Sequence, residues 1–250
     1  MSTGHDLVRR AGAVVFVTDL AAPELAPEDA HHLADVLRLA DGEAVVAADG
    51  TGAFRLCRFE LGVVTRGRPG KRRAVPARLV AEGAVSVAPS SEPPVTVGFA
   101  LPKGERPEWA VQKLTELGVD RIVTFTTVRT VVRLDEAAAH RRGEHLRRVA
   151  REAAAQCRRL TLPAVDGPVP YRAVLATAPP GLAVAEPGGP PPTAATTCIL
   201  VGPEGGFTPE ELDLAPGLVG LADTVLRAET AAVVAGAFLV AVRAGRLRPA

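Results

Sequence analysis

A glycine-rich turn between an apolar run and a helix start is the feature that most constrains the fold of this chain. Cys198 to Val201 form the apolar run, and the turn Gly202-Pro203-Glu204-Gly205-Gly206-Phe207 follows directly. Thr208 then suits a helix N-cap, with a proline and two glutamates in the first turn after it. The pattern predicts a strand, a turn and a helix. Such turns bring backbone amides close to a ligand in α/β proteins, although an ordinary tight turn has the same composition.

The segment Leu-Ala-Asp-Thr-Val-Leu-Arg-Ala-Glu-Thr-Ala, residues 221–231, repeats this arrangement further along the chain. We predict a short strand near Thr224 to Leu226 that leads into an alanine-rich helix. Neither turn has the Gly-Lys-Ser/Thr of a P-loop or the spaced Gly-x-Gly-x-x-Gly of a dinucleotide fold. These absences argue against an ATPase or a dehydrogenase of the familiar types.

The rest of the C-terminal half alternates between strand and helix patterns. Strands are predicted at 95–101, 121–125, 182–185 and 197–201, and helices at 107–117 and from about 135 to 159. This alternation predicts a mostly parallel sheet with helices on both faces. The segment 187–192, with its two glycines and four prolines, is predicted to be a surface loop.

The N-terminal part of the chain is richer in strand patterns. A strand is predicted at 13–17, followed by a helix that begins at Pro27 and has apolar positions at Leu33, Val36 and Leu37. The turn at Asp49-Gly50 predicts a hairpin, and further strands are predicted between 72 and 87. Residues 88–94 are rich in proline and serine and are predicted to be a linker.

Basic residues are concentrated in two segments, although the net charge of the chain is only +1. Residues 55–78 contain eight basic residues and one acid, and residues 141–159 contain seven arginines and two glutamates. On the long predicted helix, Arg148, Arg151 and Arg159 share one face at helical spacing. Both segments suit contacts with phosphate groups, and each would also fit an ordinary solvated surface.

Cysteine and histidine spacing argues against a metal site. The three cysteines, Cys57, Cys157 and Cys198, have neither metal-ligand spacing nor the even number of a disulfide framework. The adjacent His31 and His32 would point in different directions on a helix. We predict no metal, free thiols and a cytoplasmic location. No signal-peptide pattern is present, and the longest apolar stretch is too short to span a bilayer, so no membrane association is predicted.

Several segments match one known family. Gly202-Pro203-Glu204-Gly205-Gly206, followed by Leu226-Arg227-x-Glu229-Thr230-Ala231, resembles the bacterial 16S ribosomal RNA (uracil-N3) methyltransferases, the small subunit methyltransferase E family of the SPOUT class. The resemblance extends to His31-His32-Leu33, Val36-Leu37-Arg38-Leu39, Lys103-Gly104-Glu105-Arg106, Gln112-Lys113-Leu114-Thr115-Glu116-Leu117-Gly118-Val119 and Glu152-Ala153-Ala154-Ala155-Gln156-Cys157-Arg158-Arg159. The chain departs from the family pattern at Ala222, where glycine is common, and at Thr224, where arginine is common.

The resemblance implies an α/β protein of two domains. Residues 1–87 would form a smaller N-terminal PUA-like β-barrel that binds RNA, and 88–94 a linker. Residues 95–250 would form a C-terminal SPOUT-type α/β trefoil-knot domain that binds S-adenosylmethionine and is catalytic. The implied activity is methylation of N3 of a specific uridine in 16S ribosomal RNA of the small (30S) subunit, by a homodimer without a metal. Two alternatives stay open, a SPOUT methyltransferase for another RNA base and a non-catalytic RNA-binding factor in ribosome assembly.

The residue patterns and the resemblance together give three expected sets of site residues. The cofactor is expected to contact Leu200, Gly202, Pro203, Glu204, Gly205, Gly206, Leu221, Leu226, Arg227, Ala228 and Thr230. The expected catalytic residues are Arg151, Arg159, Glu204 and Glu229. The expected RNA-binding residues are His32, Arg38, Arg68, Lys71, Arg72, Lys103, Arg129 and Arg148. Either glutamate could balance the charge of the methyl donor or accept a proton, and Glu229 could instead only favour the start of its helix.

Overall fold

The computed structural model describes residues 3–66, 72–177 and 179–248. The helices are α1 (Thr3–Arg10), α2 (Pro27–His31), α3 (Arg106–Leu117), α4 (Glu136–Gln156), α5 (Tyr171–Ala176), α6 (Pro209–Leu212) and α7 (Ala228–Arg243). The strands are β1 (Ala13–Phe16), β2 (Ala44–Ala48), β3 (Ala53–Glu60), β4 (Val63–Arg66), β5 (Arg72–Val75), β6 (Arg78–Val87), β7 (Thr96–Ala100), β8 (Arg121–Thr126), β9 (Ala164–Pro170), β10 (Leu182–Ala185), β11 (Cys198–Val201) and β12 (Leu218–Val219). Internal contacts divide the chain into an N-terminal unit, Met1–Ser90 with Ala154–Leu162, and a C-terminal unit, Ser91–Ala153 with Pro163–Ala250.

In the N-terminal unit, the described strands form a mixed four-stranded sheet and a separate ribbon. The sheet has the order β1-β2-β3-β6, with β1 parallel to β2 and the other neighbours antiparallel. The ribbon pairs β4 with β5. The predicted hairpin between β2 and β3 is confirmed. The Asp49 carboxylate accepts hydrogen bonds from the backbone amides of Thr51 and Ala53, at 2.7 and 3.1 Å, and these bonds stabilise the turn.

The end of α4 and the loop after it belong to the N-terminal unit. Ala154 is buried in a cluster with residues of β1, β2 and β3. The guanidinium of Arg158, whose φ is +60°, donates hydrogen bonds of 2.6 to 3.0 Å to three backbone carbonyls between Val8 and Ala11. The helix predicted to reach Arg159 therefore ends earlier, at Gln156.

The helix predicted from Pro27 changes its geometry after five residues. α2 is followed by a π-helical turn, His32–Val36. A π turn contains more residues than an α turn, so the regular spacing of apolar side chains is broken. Leu33 is buried as expected, but Val36 and Leu37 are exposed.

The C-terminal unit contains an all-parallel sheet of six described strands in the order β12-β10-β11-β7-β8-β9. Four of them, β7, β8, β10 and β11, confirm predicted strands. The strand predicted at Thr224 to Leu226 is wrong, because those residues form an irregular loop and β12 lies earlier. The sequence patterns do not predict β9 or α5.

Helices cover both faces of this sheet, as predicted. On one face, α3, α4 and α7 pack against sheet residues such as Val97 and Ile199. On the other face, α5 and α6 pack against residues such as Phe125 and Leu200. Because side chains alternate across a strand, each central strand contributes to both apolar layers. The barrel and the trefoil knot stay predictions from the family resemblance.

Candidate active site

A cleft lies at the carboxyl ends of three adjacent parallel strands, β10, β11 and β12. It contains about 680 Å³ of empty space, including the solvent at its mouth. Its walls come from the loops after the three strands and from the start of α7. The lining residues are Ala185, Glu186, Pro187, Val201, Gly202, Pro203, Glu204, Gly206, Phe207, Leu221, Ala222, Thr224, Val225, Leu226, Ala228 and Ala231. Open α/β sheets bind ligands at this edge, so the cleft is the candidate active site.

The loop after β10 is a wall of the cleft, although the sequence predicts only a surface loop there. Glu186 and Pro187 line the cleft. Behind them, Gly189 touches Gly220 of the loop after β12, and a Cβ on Gly220 would lie 2.4 Å from the Gly189 carbonyl oxygen. The adjacent Gly188 and Gly189 inside a proline-rich segment are the sequence feature that could have indicated a cleft wall here. Its meaning depends on the adjacency of β10 and β12, which the sequence does not reveal.

The glycine-rich turn after β11 needs glycine at two of its three glycine positions. A Cβ on Gly202 would lie 2.7 Å from the ring of Phe207. Gly206 has a φ of +69°, which side chains disfavour. Gly205 has neither constraint, because a Cβ there would meet only Arg129, at an ordinary 3.6 Å. Gly202 and Gly206 line the cleft, whereas Gly205 faces Arg129.

Arg129 braces the glycine-rich turn from the loop after β8. Its Nη1 donates hydrogen bonds to the carbonyl oxygens of Gly205 and Phe207, at 2.8 and 3.0 Å. Phe207 is also held by ring contacts with Phe125 and Tyr171, at centroid distances of 6.3 and 5.1 Å. Arg129, which was expected to bind RNA, therefore stabilises the glycine-rich turn of the cleft.

The helix start predicted at Thr208 is confirmed as a full capping box. Thr208 accepts a hydrogen bond from the Glu211 amide, and the Glu211 carboxylate accepts one from the Thr208 amide. The second carboxylate oxygen of Glu211 accepts a hydrogen bond of 2.9 Å from the amide of Val128. This buried glutamate thus joins the end of the glycine-rich turn to the loop that carries Arg129.

Both glutamates expected to be catalytic lie beside Arg106, which the sequence does not assign to the site. Nη1 of Arg106, the first residue of α3, donates a hydrogen bond of 2.9 Å to Glu204 Oε1, and its Nε lies 3.7 Å from Glu229 Oε1. Glu204 lines the cleft, and its side chain is half exposed. The Glu229 side chain is only 12% exposed, and its Oε2 is buried without a hydrogen-bond partner among the described residues. Glu204 can therefore reach a ligand, whereas Glu229 faces protein.

The expected cofactor residues divide between the cleft wall and its surroundings. Seven line the cleft, namely Gly202, Pro203, Glu204, Gly206, Leu221, Leu226 and Ala228. Leu200 is instead fully buried on the face of the sheet that α5 and α6 cover. Arg227 and Thr230 are exposed at the start of α7. Two further lining residues were not predicted to contact the cofactor: Phe207, which provides an aromatic wall, and Val225, which is exposed.

The two expected catalytic arginines lie in different units. Arg151 is half-buried on α4 in the C-terminal unit. Arg159 belongs to the N-terminal unit, where its Nε donates a hydrogen bond of 3.1 Å to Thr161 Oγ1. The predicted stripe that includes Arg148 is wrong for Arg159, because α4 ends at Gln156.

The other expected RNA-binding residues are mostly exposed. His32 and Arg38 are exposed in and after the π-helical turn, and Lys103 and Arg148 are exposed in the C-terminal unit. Arg72 lies on β5. Arg68 and Lys71 are outside the described residues.

The basic segment 55–78 has more acidic partners than its sequence implies. Among its side chains that the structure describes, Arg58 donates to Glu82 at 2.9 Å and Arg78 donates to Glu60 at 2.7 Å. Arg55 donates to backbone carbonyls, including that of Gly83. Strand pairing brings Glu82 beside this segment, so the excess of positive charge is smaller than eight to one.

The buried cysteines Cys57 and Cys198 do not line the cleft. Burial raises the pKa of the Cys198 thiol to about 12, and burial also raises the pKa of Cys57. Among residues 3–66, 72–177 and 179–248, no group of three or more His, Cys, Asp or Glu could hold a metal ion. In the same described part of the chain, no helix has both the length and the apolar character needed to cross a membrane.

Comparison with protein families gives two matches, one in the N-terminal part of the sequence and one in the C-terminal part. Residues 89–240 match the model of an RNA methyltransferase domain. Residues 25–61 match the model of an RNA methyltransferase PUA domain. The C-terminal parallel sheet is therefore a SPOUT-like methyltransferase domain, and the N-terminal sheet is a PUA-like domain.

Similar proteins cover nearly the whole chain. The ribosomal RNA small subunit methyltransferase E of Mycobacterium tuberculosis is 36% identical over 232 residues, which cover 83% of this chain and 82% of the relative. A Legionella pneumophila structure, described as a methyltransferase in complex with the bound cofactor SAM, is 27% identical with a TM-score of 0.73, covering 91% of this chain and 96% of the other. The crystal structure of a ribosomal RNA small subunit methyltransferase E from Neisseria gonorrhoeae, bound to S-adenosyl methionine, shares the fold at 24% identity and a TM-score of 0.74, covering 92% and 97%. The chain belongs to the ribosomal RNA small subunit methyltransferase E family.

Proposed function

We propose that the protein transfers a methyl group from S-adenosylmethionine to N3 of a uridine in 16S ribosomal RNA of the small subunit. The observation that carries this proposal is the cleft at the carboxyl ends of β10, β11 and β12, in a chain of the small subunit methyltransferase E family. In this proposal the C-terminal unit binds the cofactor and performs the transfer, and the N-terminal unit binds RNA. A cytoplasmic location follows from a ribosomal substrate.

The residues of the cleft fit this cofactor. The adenine ring and the aliphatic part of the methionine need apolar walls, which Val201, Phe207 and Leu226 would provide. The hydroxyl and ammonium groups need acceptors, and the carboxylates of Glu186 and Glu204 are in the lining. The glycine-rich turn allows the backbone to approach the ligand. When bound, the cofactor supplies an electrophilic methyl group to the ring nitrogen.

Uracil N3 carries a proton that must leave before the nitrogen can attack. We assign its acceptance to Glu204, because this carboxylate lines the cleft and is half exposed. A general base must come within about 3 Å of the group whose proton it accepts, and a side chain that lines the cleft and is half exposed is accessible to such a group. Glu229 is assigned a supporting role, because a negative charge in the first turn of α7 interacts favourably with the helix dipole. Arg151 and Arg159 are proposed to contact the target nucleotide.

Phosphate contacts are proposed for the exposed basic residues outside the cleft. His32 and Arg38 lie at the π-helical turn of the PUA-like unit, and Lys103 and Arg148 lie on the C-terminal unit. Arg68, Lys71 and Arg72 complete the set. Contacts of this kind are blind to sequence and weaken as salt rises, because binding releases counterions from the RNA.

We further propose that the protein acts as a homodimer. One face of α7 packs within its own unit, where a Cβ on Gly236 would lie 2.6 Å from Leu114 Cδ2. The opposite side carries Val233, Ala237 and Ala241, which are exposed or partly exposed. An apolar strip of this kind can bury against a second copy. Light scattering tests the proposal, and a monomeric mass together with full activity would contradict it.

Methylation of isolated small subunits tests the proposed function. Subunits from a strain that lacks this gene are incubated with the protein and S-adenosylmethionine that carries a labelled methyl group. We expect about one methyl group per subunit, mapped by mass spectrometry to N3 of a single uridine, and none after incubation with the Glu204→Gln variant. Label on another base would contradict the proposed target. No label, despite cofactor binding by calorimetry, would favour a non-catalytic RNA-binding protein.

A further inference from the structure

We propose that Arg106 is a positioning residue, which Glu229 anchors and which holds Glu204, so that the glycine-rich turn keeps its cofactor-binding shape. The inference rests on the proposed function of the cleft. It concerns three side chains from separate parts of the C-terminal unit: the first residue of α3, the turn after β11 and the first turn of α7. Arg106 touches both carboxylates and is absent from the cleft wall, so its effect on ligands would pass through Glu204.

The anchor of this arrangement is the buried end. The Glu229 side chain is 12% exposed and has one oxygen without a partner among the described residues, while the other lies 3.7 Å from Arg106. A carboxylate removed from water requires a nearby positive charge, because an unpaired buried charge is strongly unfavourable. α7 itself is firmly seated, since Gly236 packs directly against Leu114 of α3. Arg106 and Glu229 are therefore held on two helices that cannot easily separate.

The other end of this arrangement is Glu204. Glu204 lies in a turn with glycines at positions 202, 205 and 206, and glycine-rich segments have many accessible backbone conformations. Two arginine side chains contribute to holding the turn: Arg129 bonds to the carbonyls of Gly205 and Phe207, and Arg106 bonds to Glu204. A half-exposed ion pair on its own contributes little. This pair differs because the same guanidinium also lies 3.7 Å from the buried Glu229 carboxylate, whose charge attracts it. A turn that is already ordered loses less entropy when a ligand binds.

Arginine is the residue that this geometry requires. The guanidinium presents Nη1 to Glu204 and Nε to Glu229 at the same time, from one rigid plane. A lysine ammonium is a single point charge on a flexible stem and does not have this fixed fork. The Arg106→Lys variant should therefore keep the positive charge but not the orientation of Glu204.

The test separates the positioning role from simple neutralisation of a buried charge. S-adenosylmethionine affinity is measured by calorimetry and stability by urea denaturation. The full-length variants are Arg106→Gln, Arg106→Lys, Glu204→Gln, the charge-neutral double variant Arg106→Gln with Glu229→Gln, and Arg106→Gln with Glu204→Gln. Arg106→Gln should weaken cofactor binding at least tenfold and lower the urea midpoint. The charge-neutral double variant removes both charges, so its urea midpoint should return towards that of the parent, while its cofactor affinity should stay at least tenfold weaker. Lys113→Gln, which removes another ion-paired cation of α3, is the matched control and should bind the cofactor like the parent.

The remaining outcomes also distinguish whether Arg106 has the positioning role. Adding Glu204→Gln to Arg106→Gln should cause little further loss of affinity, because both changes release the same turn. Parental affinity in Arg106→Gln, or recovery of affinity together with stability in the charge-neutral double variant, would overturn the positioning role while leaving the proposed function intact. If the unaltered protein itself fails to bind S-adenosylmethionine, the proposed function is wrong, and this inference is wrong with it.

Discussion

Replacing Gly202 with alanine should damage the cleft through a single added methyl group. The new Cβ would lie 2.7 Å from Cε2 and 2.9 Å from Cδ2 of Phe207. An ordinary contact begins at 3.4 Å, so the ring and the turn must separate by 3.4 − 2.7 = 0.7 Å to restore one. Phe207 cannot move away freely, because it is 5% exposed and packs against Phe125 and Tyr171.

The cost can be estimated from other overpacked sites. An added methyl group in a tight interior typically lowers the free energy of unfolding by about 1–3 kcal/mol. The protein should still fold, since domains are stable by roughly 5–15 kcal/mol. The displaced turn forms part of the cleft wall, so we expect affinity for S-adenosylmethionine to fall at least tenfold, equivalent to about 1.4 kcal/mol. Urea denaturation and calorimetry measure the two effects.

The neighbouring Gly205 provides the matched control. A Cβ at this position would meet Arg129 at 3.6 Å, an ordinary contact, so Gly205→Ala should leave both stability and cofactor affinity near the parental values. Combining Gly202→Ala with Phe207→Leu tests the steric cause, because a smaller side chain makes room for the methyl group. The double variant should be more stable than the sum of the single effects by about 0.5–3 kcal/mol. Additive effects, or equal behaviour of the two alanine variants, would refute the reasoning.

Three further expectations follow from the described contacts. Arg129→Gln removes two hydrogen bonds to the glycine-rich turn, so it should lower the free energy of unfolding by about 1 kcal/mol and weaken cofactor binding. The salt dependence of RNA binding should not change. A changed salt slope with normal cofactor affinity would instead favour an RNA contact. Joint replacement of Arg68, Lys71 and Arg72 should weaken RNA binding and flatten its salt slope by up to about one unit per lost contact. As a control, Arg58→Gln should leave the slope unchanged, because the Arg58 side chain is paired with Glu82. If the triple variant binds RNA with the parental affinity across a salt series, the phosphate contacts are excluded. At pH 8, a thiol reagent should label Cys157 before the other two cysteines, because Cys57 and Cys198 are buried and burial raises the pKa of both thiols, that of Cys198 to about 12. Labelling of all three at one rate in the folded protein would contradict this, and urea should make them equivalent.

Elements with local signals were predictable from the sequence. The capping box at Thr208 depends on residues three positions apart, and α3 is terminated at its C-cap by Gly118, whose φ is +94°. The hairpin at Asp49 is likewise closed by bonds within four residues. In each case the side chains that define the structure are neighbours in the chain, so their identities are sufficient.

Features that depend on distant neighbours were not predictable. Arg106 and Glu204 are separated by 98 residues, and their pairing follows only from the fold. β12 has two residues, too few to show an alternating pattern, and its place beside β10 is what brings the proline-rich loop to the cleft. Val36 and Leu37 have the spacing of a buried helix face, but the π-helical turn leaves both exposed. For the same reason the sequence suggested most of the cleft but not the wall after β10.

The return of residues 154–162 to the N-terminal unit has a consequence for how the protein is made. Translation delivers residues 1–90 first, and the missing piece begins 154 − 90 = 64 residues later. At about 5–20 residues per second, the ribosome needs roughly 3–13 s to reach it. Until then the place of Ala154 in the buried cluster is empty, and the carbonyls between Val8 and Ala11 lack the Arg158 guanidinium. The N-terminal unit is therefore complete only after about half of the C-terminal unit has been synthesised. For the same reason, a single cut in the linker cannot yield two fragments that each contain a whole unit.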